Sequence, residues 1–384
     1  MDASVNRIAS SKDERALLLA LRRSSEKEAG ILYSLDELKM LVKTAGGIIV
    51  DSRIVRRDVI DAAYIIGKGF LEELKGYIVE NKIKLLVFDM NNIRPAQVRN
   101  LEEKLKCRVV GRNEVILDIF ARRARSSEAQ IQVELAQLQY ILPRLKGLGG
   151  VLSRLGGGIG TRGPGEKMLE TDRRHVQKRI TALKKKLKRY EAHRSRTRNS
   201  RRGELLGAVV GYTNAGKSTL INLLAKDDLF VENRLFATLD SYTRSVFLAY
   251  GKKILLTDTV GFIRNLPANL IESFRSTLED IQNADFLLHI IEGTAPDINT
   301  NMSTVEAELA DLQCSDMKRV TFFNKSDQMT DEDANLLKIQ YPDAVIGSAL
   351  TGEGIDELRQ RLIEVYESAE RVTTETQSHR GYGE

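Results

Sequence analysis

The chain has 384 residues, 42% hydrophobic and 29% charged, a balance that supports packed cores and excludes a disordered chain. No run of about 18 apolar residues is present, so a membrane-spanning helix and membrane insertion are not expected. The two cysteines, Cys107 and Cys314, cannot build a disulfide framework or a four-ligand zinc site by themselves. At roughly 150 residues per domain, two or three domains are expected. Early acids at Asp2, Asp13, Glu14, Glu26 and Glu28, with no apolar h-region of a signal peptide, argue against a leader peptide and for a reducing, cytoplasmic setting.

Residues 1–125 alternate two periodicities. Apolar runs at 47–50, 64–66, 85–89 and 108–110 predict short buried strands, and amphipathic stretches at 34–43, 71–81 and 95–105 predict helices. Strand–helix alternation predicts a small α/β subdomain with a largely parallel sheet.

Residues 126–191 follow a different rule. Ile131, Leu135, Leu138 and Leu142 are spaced 4-3-4, and Val176, Ile180, Leu183, Leu187 and Tyr190 are spaced 4-3-4-3. Two such stripes predict an antiparallel helical hairpin with an apolar seam. Between them, nine of the 23 residues at 144–166 are glycine, so a Gly/Arg-rich loop is expected over 144–168. A polar, Arg-rich linker is expected over 192–203.

Charge is concentrated here. Residues 121–203 carry 22 basic and 6 acidic side chains, whereas residues 204–384 carry 16 basic and 29 acidic ones. So dense a surplus repels itself unless a polyanion neutralises it, which points to nucleic acid. Arg144, Lys146, Arg154, Arg162, Arg173, Arg174, Lys184, Lys185 and Lys188 are the candidate RNA-binding residues.

From 204 to 368 a second α/β pattern begins, followed by a polar tail at 369–384. After the apolar run 205–210 comes GYTNAGKS at 211–218, a phosphate-binding loop between a strand and a helix. Its amides, including those of Ala215, Gly216 and Thr219, are expected to cradle phosphates at a helix N-terminus. Lys217 is expected to reach the β- and γ-phosphates and Ser218 to ligate Mg²⁺. The segment NKSD at 324–327, 107 residues beyond Lys217, resembles the guanine-specificity element of GTPases. Asp327 can accept from guanine N1–H and the 2-amino group, Asn324 braces the loop, and the Lys325 stem covers the base. Ser348 and Ala349 resemble the element whose amide contacts guanine O6. The strand ending in DTVG at 258–261 resembles the GTPase switch, with Asp258 holding Mg²⁺ through water and the Gly261 amide sensing the γ-phosphate. Thr238 is the candidate switch threonine on Mg²⁺ and γ-phosphate. Lys217, Thr238 and Gly261 are thus the catalytic candidates. Phe262 stands where Ras-type GTPases place a water-orienting glutamine, so slow intrinsic hydrolysis stimulated by a partner is expected. Asn214 resembles a K⁺-coordinating asparagine of some GTPases, and a purely structural role for it is equally open.

The segments GGGIGTRGPGEKMLETDRR at 156–174, GYTNAGKSTL at 211–220, FATLD at 236–240 and DTVGFI at 258–263, with IIGKG at 65–69, together resemble the HflX family of GTPases. The resemblance spans about 14 to 367. It implies an α/β N-terminal domain, a helical hairpin and a Ras-like P-loop GTPase domain with a mostly parallel sheet. It also implies binding to the large ribosomal subunit and its rRNA, with the hairpin loop directed toward the peptidyl transferase centre, and the splitting or rescue of stalled ribosomes under stress. Nothing in the sequence suggests an obligate oligomer, so a monomer is expected. Many members carry a small domain after the GTPase domain, where a short tail stands here. Two other readings stay open on sequence: a ribosome assembly or hibernation factor without splitting activity, and a signalling GTPase with a protein effector.

Overall fold

A computed structural model describes residues 14–145, 164–199, 204–226, 235–236, 242–249, 251–264 and 275–380. They divide into two compact units, one within 14–190 and the other within 191–380.

The first unit opens with β1 (Arg15–Arg22), α1 (Glu28–Thr44), β2 (Ile48–Arg56), α2 (Lys68–Glu80), β3 (Leu85–Phe88), α3 (Pro95–Leu105) and β4 (Arg108–Gly111). The strands form a parallel sheet in the order β2-β1-β3-β4. The central strand β1 is the one that periodicity did not reveal. A strand covered on both faces reads as a continuous apolar run, and Leu17, Leu18 and Leu19 are fully buried. The strand expected at 64–66 is instead a tight turn. Asp61 and Ile65 form an isolated antiparallel bridge, and the Asp61 carboxylate accepts from the Ala63 and Tyr64 amides at 2.8 and 2.7 Å. Short polar side chains that bond their own backbone in this way favour turns over strands.

The helix α4 (Arg112–Arg123) follows β4 directly and is locked at its first residue. Arg112, 1% exposed, pairs with Glu37 of α1 and, at 3.1 Å, with Asp89 after β3, which also accepts from Ser34 at 2.6 Å. Breaking such a buried charge set by removing one member leaves an uncompensated ion.

The hairpin consists of α5 (Ser127–Leu145) and α6 (Pro164–Asn199). Leu135, Leu138, Ile180, Leu183 and Leu187 form its buried seam, with Ile131, Leu142 and Val176 packed against it, as the two stripes predict. Tyr190, 37% exposed, falls outside the seam. Arg179 bridges to Glu134 of the other helix with a two-point contact at 2.6 and 2.8 Å. Two expected boundaries shift. The loop expected over 144–168 has already become helical at Pro164, and α6 continues through 192–199, where composition suggested a linker. Pro at the first turn starts a helix readily, and Arg, Ala and Glu propagate one regardless of charge. Replacing Leu183 (1% exposed) with alanine is expected to cost about 3 kcal/mol in denaturant unfolding, from the lost transfer energy and the cavity left in the seam.

The second unit contains β5 (Leu205–Gly211), α7 (Lys217–Ala225), β6 (Tyr242–Phe247), β7 (Lys253–Asp258), α8 (Arg275–Gln282), β8 (Phe286–Glu292), α9 (Ile298–Asp311), β9 (Arg319–Asn324), α10 (Asp331–Gln340), β10 (Val345–Ile346) and α11 (Ile355–Arg380). Its sheet runs β10-β9-β8-β5-β7-β6, parallel except for the antiparallel edge strand β6. Leu220, Ile221 and Leu224 of α7 and Leu358 and Leu362 of α11 pack with Val209, Leu256, Leu288 and Phe322 of the sheet in one core. The polar tail expected from 369 carries on α11 through Arg380.

Candidate nucleotide site

In a parallel sheet, the loops after the strands gather at the carboxyl edge, and ligands bind there. Here β5, β7 and β9 deliver GYTNAGKS, DTVG and NKSD to one edge of the sheet.

The loop after β5 wraps around the lysine that opens α7. Lys217 is 7% exposed, and its Nζ donates to the Gly211 carbonyl at 3.1 Å and the Tyr212 carbonyl at 2.8 Å. Burial draws its pKa down to about 8, partly offset by the Asp258 carboxylate. Gly216 holds φ +91°, and a Cβ there would collide with the Asn324 side-chain amide. Asn214 takes a left-handed φ of +65°, which asparagine tolerates better than most residues. Its observed contribution is therefore to the turn of the loop.

Ser218 and Asp258 meet across the strands, the serine hydroxyl donating to Asp258 Oδ2 at 2.7 Å. A hydroxyl and a carboxylate side by side are hard oxygen donors, the set that suits Mg²⁺ with water and phosphate completing its shell. Among the described residues, no group of three or more His, Cys, Asp or Glu offers an alternative metal site.

The switch segment lies on the phosphate loop. The Thr213 amide donates to the Phe262 carbonyl at 2.7 Å, the Phe262 amide to the Gly211 carbonyl at 3.1 Å, and the Arg264 amide to the Tyr212 hydroxyl at 2.9 Å. A Cβ on Gly261 would stand 2.7 Å from Lys217 Nζ and 2.9 Å from Thr213 Cα, so only glycine permits this approach. Phe262, 2% exposed, turns its ring into the core, and an apolar ring cannot orient water.

The third loop is braced as expected. Asn324 donates through Nδ2 to the Ala215 carbonyl at 2.8 Å and accepts at Oδ1 from the Ala349 amide at 2.8 Å, tying two loops together. Ala349 lies in the element that resembles the one contacting guanine O6, and here its amide donates to Asn324. Ser348 donates to Asp327 Oδ1, and this bond leads in holding the exposed Asp327 carboxyl below its usual range. Lys325 has φ +71° and anchors its ammonium on Glu292 at 2.6 Å. Sequence reasoning missed Glu292, Glu353 (acceptor for the Ser326 hydroxyl at 2.6 Å) and the Tyr212–Arg264 contact. None carries a motif, because each acts through a fold-dependent meeting.

Of the RNA-binding candidates, Arg173, Arg174, Lys184, Lys185 and Lys188 are exposed on α6. Arg144 lies 3.3 Å over the Tyr140 ring and donates to the Tyr140 carbonyl at 2.9 Å. Lys146, Arg154, Arg162 and Thr238 lie outside the described residues.

Known proteins agree with this geometry. Residues 33–121 match the family described as GTP-binding GTPase N-terminal, 123–201 the GTP-binding GTPase middle region, and 207–325 the family described as 50S ribosome-binding GTPase. The chain is 50% identical over 316 residues to GTPase HflX of Caldanaerobacter subterraneus subsp. tengcongensis, covering 82% of this chain and 73% of that protein. It is 37% identical over 355 residues to GTPase HflX of Escherichia coli, covering 91% and 82% respectively. Among solved structures, the complex of SsGBP with GDP shares the fold, with a TM-score of 0.52 and 24% identity over 92% of this chain and 98% of that one. With a phosphate loop, a glycine switch and a guanine-type loop on one sheet edge, and relatives matched over most of its length, the chain belongs to the HflX family of GTPases and binds and hydrolyses GTP.

Proposed function

We propose that this GTPase binds the large ribosomal subunit through its basic hairpin, and that GTP controls the binding so that ribosomes are split or rescued. The observation that carries the reading is the junction in one chain of a GTP-binding unit with a segment, 121–203, holding 22 basic and 6 acidic residues. Arg173, Arg174, Lys184, Lys185 and Lys188 stand exposed on α6, where each can meet RNA phosphate. The family description "50S ribosome-binding GTPase" for residues 207–325 supports the same partner.

At the nucleotide, the amides of Asn214, Ala215, Gly216, Lys217, Ser218 and Thr219 cradle the phosphates, and the Lys217 ammonium neutralises the β- and γ-phosphates. Ser218, Thr238 and, through water, Asp258 would hold Mg²⁺, and the ion would supply neutralisation of phosphate charge. The Gly261 amide senses the γ-phosphate, so loss of that group releases the switch. Asp327 and Lys325 read the base. With Phe262 in the glutamine position, turnover is slow until the ribosome contributes the missing positioning.

The test is GTP turnover with and without purified large subunits, for the wild type and for a chain lacking 156–165. Strong stimulation lost on deletion supports the reading. Stimulation of neither protein overturns it. Subunit separation on a sucrose gradient distinguishes splitting from a role in assembly or hibernation. Replacing Lys184, Lys185 and Lys188 by glutamate is expected to weaken rRNA binding and to flatten its dependence on salt by nearly three units of log–log slope. GTP affinity should stay unchanged.

A further inference from the structure

One polar group in the nucleotide site has no role in the scheme above. Thr213 is 4% exposed, and its Oγ1 finds no hydrogen-bond partner among the described residues. Buried hydroxyls are rarely left so, and the neighbouring strands of this unit show the usual outcome. Thr259, fully buried, donates to the Val209 carbonyl at 2.6 Å, and the Thr257 and Thr243 hydroxyls bond each other at 3.0 Å.

The position of Thr213 explains what its hydroxyl is for. The point where a Cβ of Gly261 would stand is 2.7 Å from Lys217 Nζ, 2.9 Å from Thr213 Cα and 3.0 Å from Thr213 Cγ2. Lys217 and Gly261 are among the groups expected to meet a γ-phosphate, and the Thr213 backbone and methyl lie beside Gly261. Its own amide is already committed to the Phe262 carbonyl at 2.7 Å, so the hydroxyl is the donor this residue has left. The Phe262 side chain offers no hydrogen bond at this place, its ring being buried.

We propose that the Thr213 hydroxyl donates a hydrogen bond to the γ-phosphoryl group of bound GTP and thereby helps this loop to distinguish GTP from GDP. The bond forms only when the third phosphate is present, so it contributes to the affinity of one nucleotide and not the other. A hydroxyl donor to a charged acceptor in a water-poor site makes one of the stronger hydrogen bonds. Among the described residues this hydroxyl is buried without compensation, which a phosphate oxygen would relieve. The proposal is independent of the ribosome and depends only on GTP binding.

Thr213→Val keeps the branched shape and removes only the hydroxyl, while Thr213→Ser keeps the hydroxyl and removes the methyl. Fluorescent GDP and a fluorescent non-hydrolysable GTP analogue are titrated into each full-length variant. Thr213→Val is expected to lose about tenfold in affinity for the analogue and to bind GDP within about twofold of the wild type. Thr213→Ser is expected to restore discrimination between the two. The unliganded Thr213→Val protein should melt at the same temperature or higher, because a buried group lacking a partner has been replaced by a methyl. Equal losses for both nucleotides, or no loss for either, would overturn the proposal. So would a lower melting temperature accompanied by weaker binding of GDP, which would mark the hydroxyl as a structural group.

Discussion

Replacing Asp327 with asparagine is expected to remove guanine preference and to create a preference for xanthine. The carboxylate offers two acceptors, matched to the N1–H and 2-amino donors of guanine. An amide offers one acceptor and one donor, which fits N1–H beside the 2-carbonyl of xanthine. A site built to bond a group rejects an analogue that leaves its polar atoms unmatched by large factors, so GTP affinity should fall by at least about a hundredfold. Competition binding with GTP and XTP checks this. The Ser348 hydroxyl, which donates to Asp327 Oδ1 and accepts from the Leu350 and Thr351 amides at 3.2 and 3.3 Å, holds the carboxylate in place. Unchanged GTP preference in Asp327→Asn would show that the base is read elsewhere.

Lys217→Met is expected to reduce single-turnover GTP hydrolysis by roughly 10²–10³, the usual effect of removing one preorganised charge-stabilising donor from a buried site. A pH effect accompanies it. Burial places the lysine at about 8 against the ordinary 10.5. Below pH 8 it is charged in both folded and unfolded states, and the full cost of burying the ammonium weighs on the fold. Between 8 and 10.5 the unfolded chain keeps the proton that the folded protein has released, so this group's contribution to stability rises with pH. A phosphate beside the ammonium reverses the burial effect and draws the proton back. Calorimetry at pH 8.5, in two buffers of different ionisation enthalpy, should therefore show proton uptake on nucleotide binding by the wild type and less by Lys217→Met. Equal uptake by both would place the proton on another group.

Much of the architecture was legible in the chain because its cues are local. The seam of the hairpin followed from 4-3-4 spacing, since residues at those intervals share one helix face whatever surrounds them. The phosphate loop and the guanine-type loop were legible because phosphate and base chemistry demand particular residues at fixed spacing. The missed strand β1 and the overcalled strand at 64–66 share a cause. A short apolar run is compatible with strand, helix or buried turn, and what decides is its partner: Leu17↔Leu86 and Leu17↔Asp51 for β1, the Asp61 carboxylate for the turn.

The sequence by itself carried the motifs: GYTNAGKS, DTVG and NKSD, and a basic segment joined to them. These depend on residue type and spacing, which a chain carries before it folds. Only the tertiary structure decided how the three loops hold one another. Asn324 joins the loops after β5 and β10 from its place at the end of β9. The Phe262 carbonyl takes the Thr213 amide, and the Thr213 backbone and methyl lie beside Gly261. Each is a meeting of residues about 25 to 109 positions apart, and contacts at that separation are set by how the strands order themselves in the sheet, which no local pattern encodes.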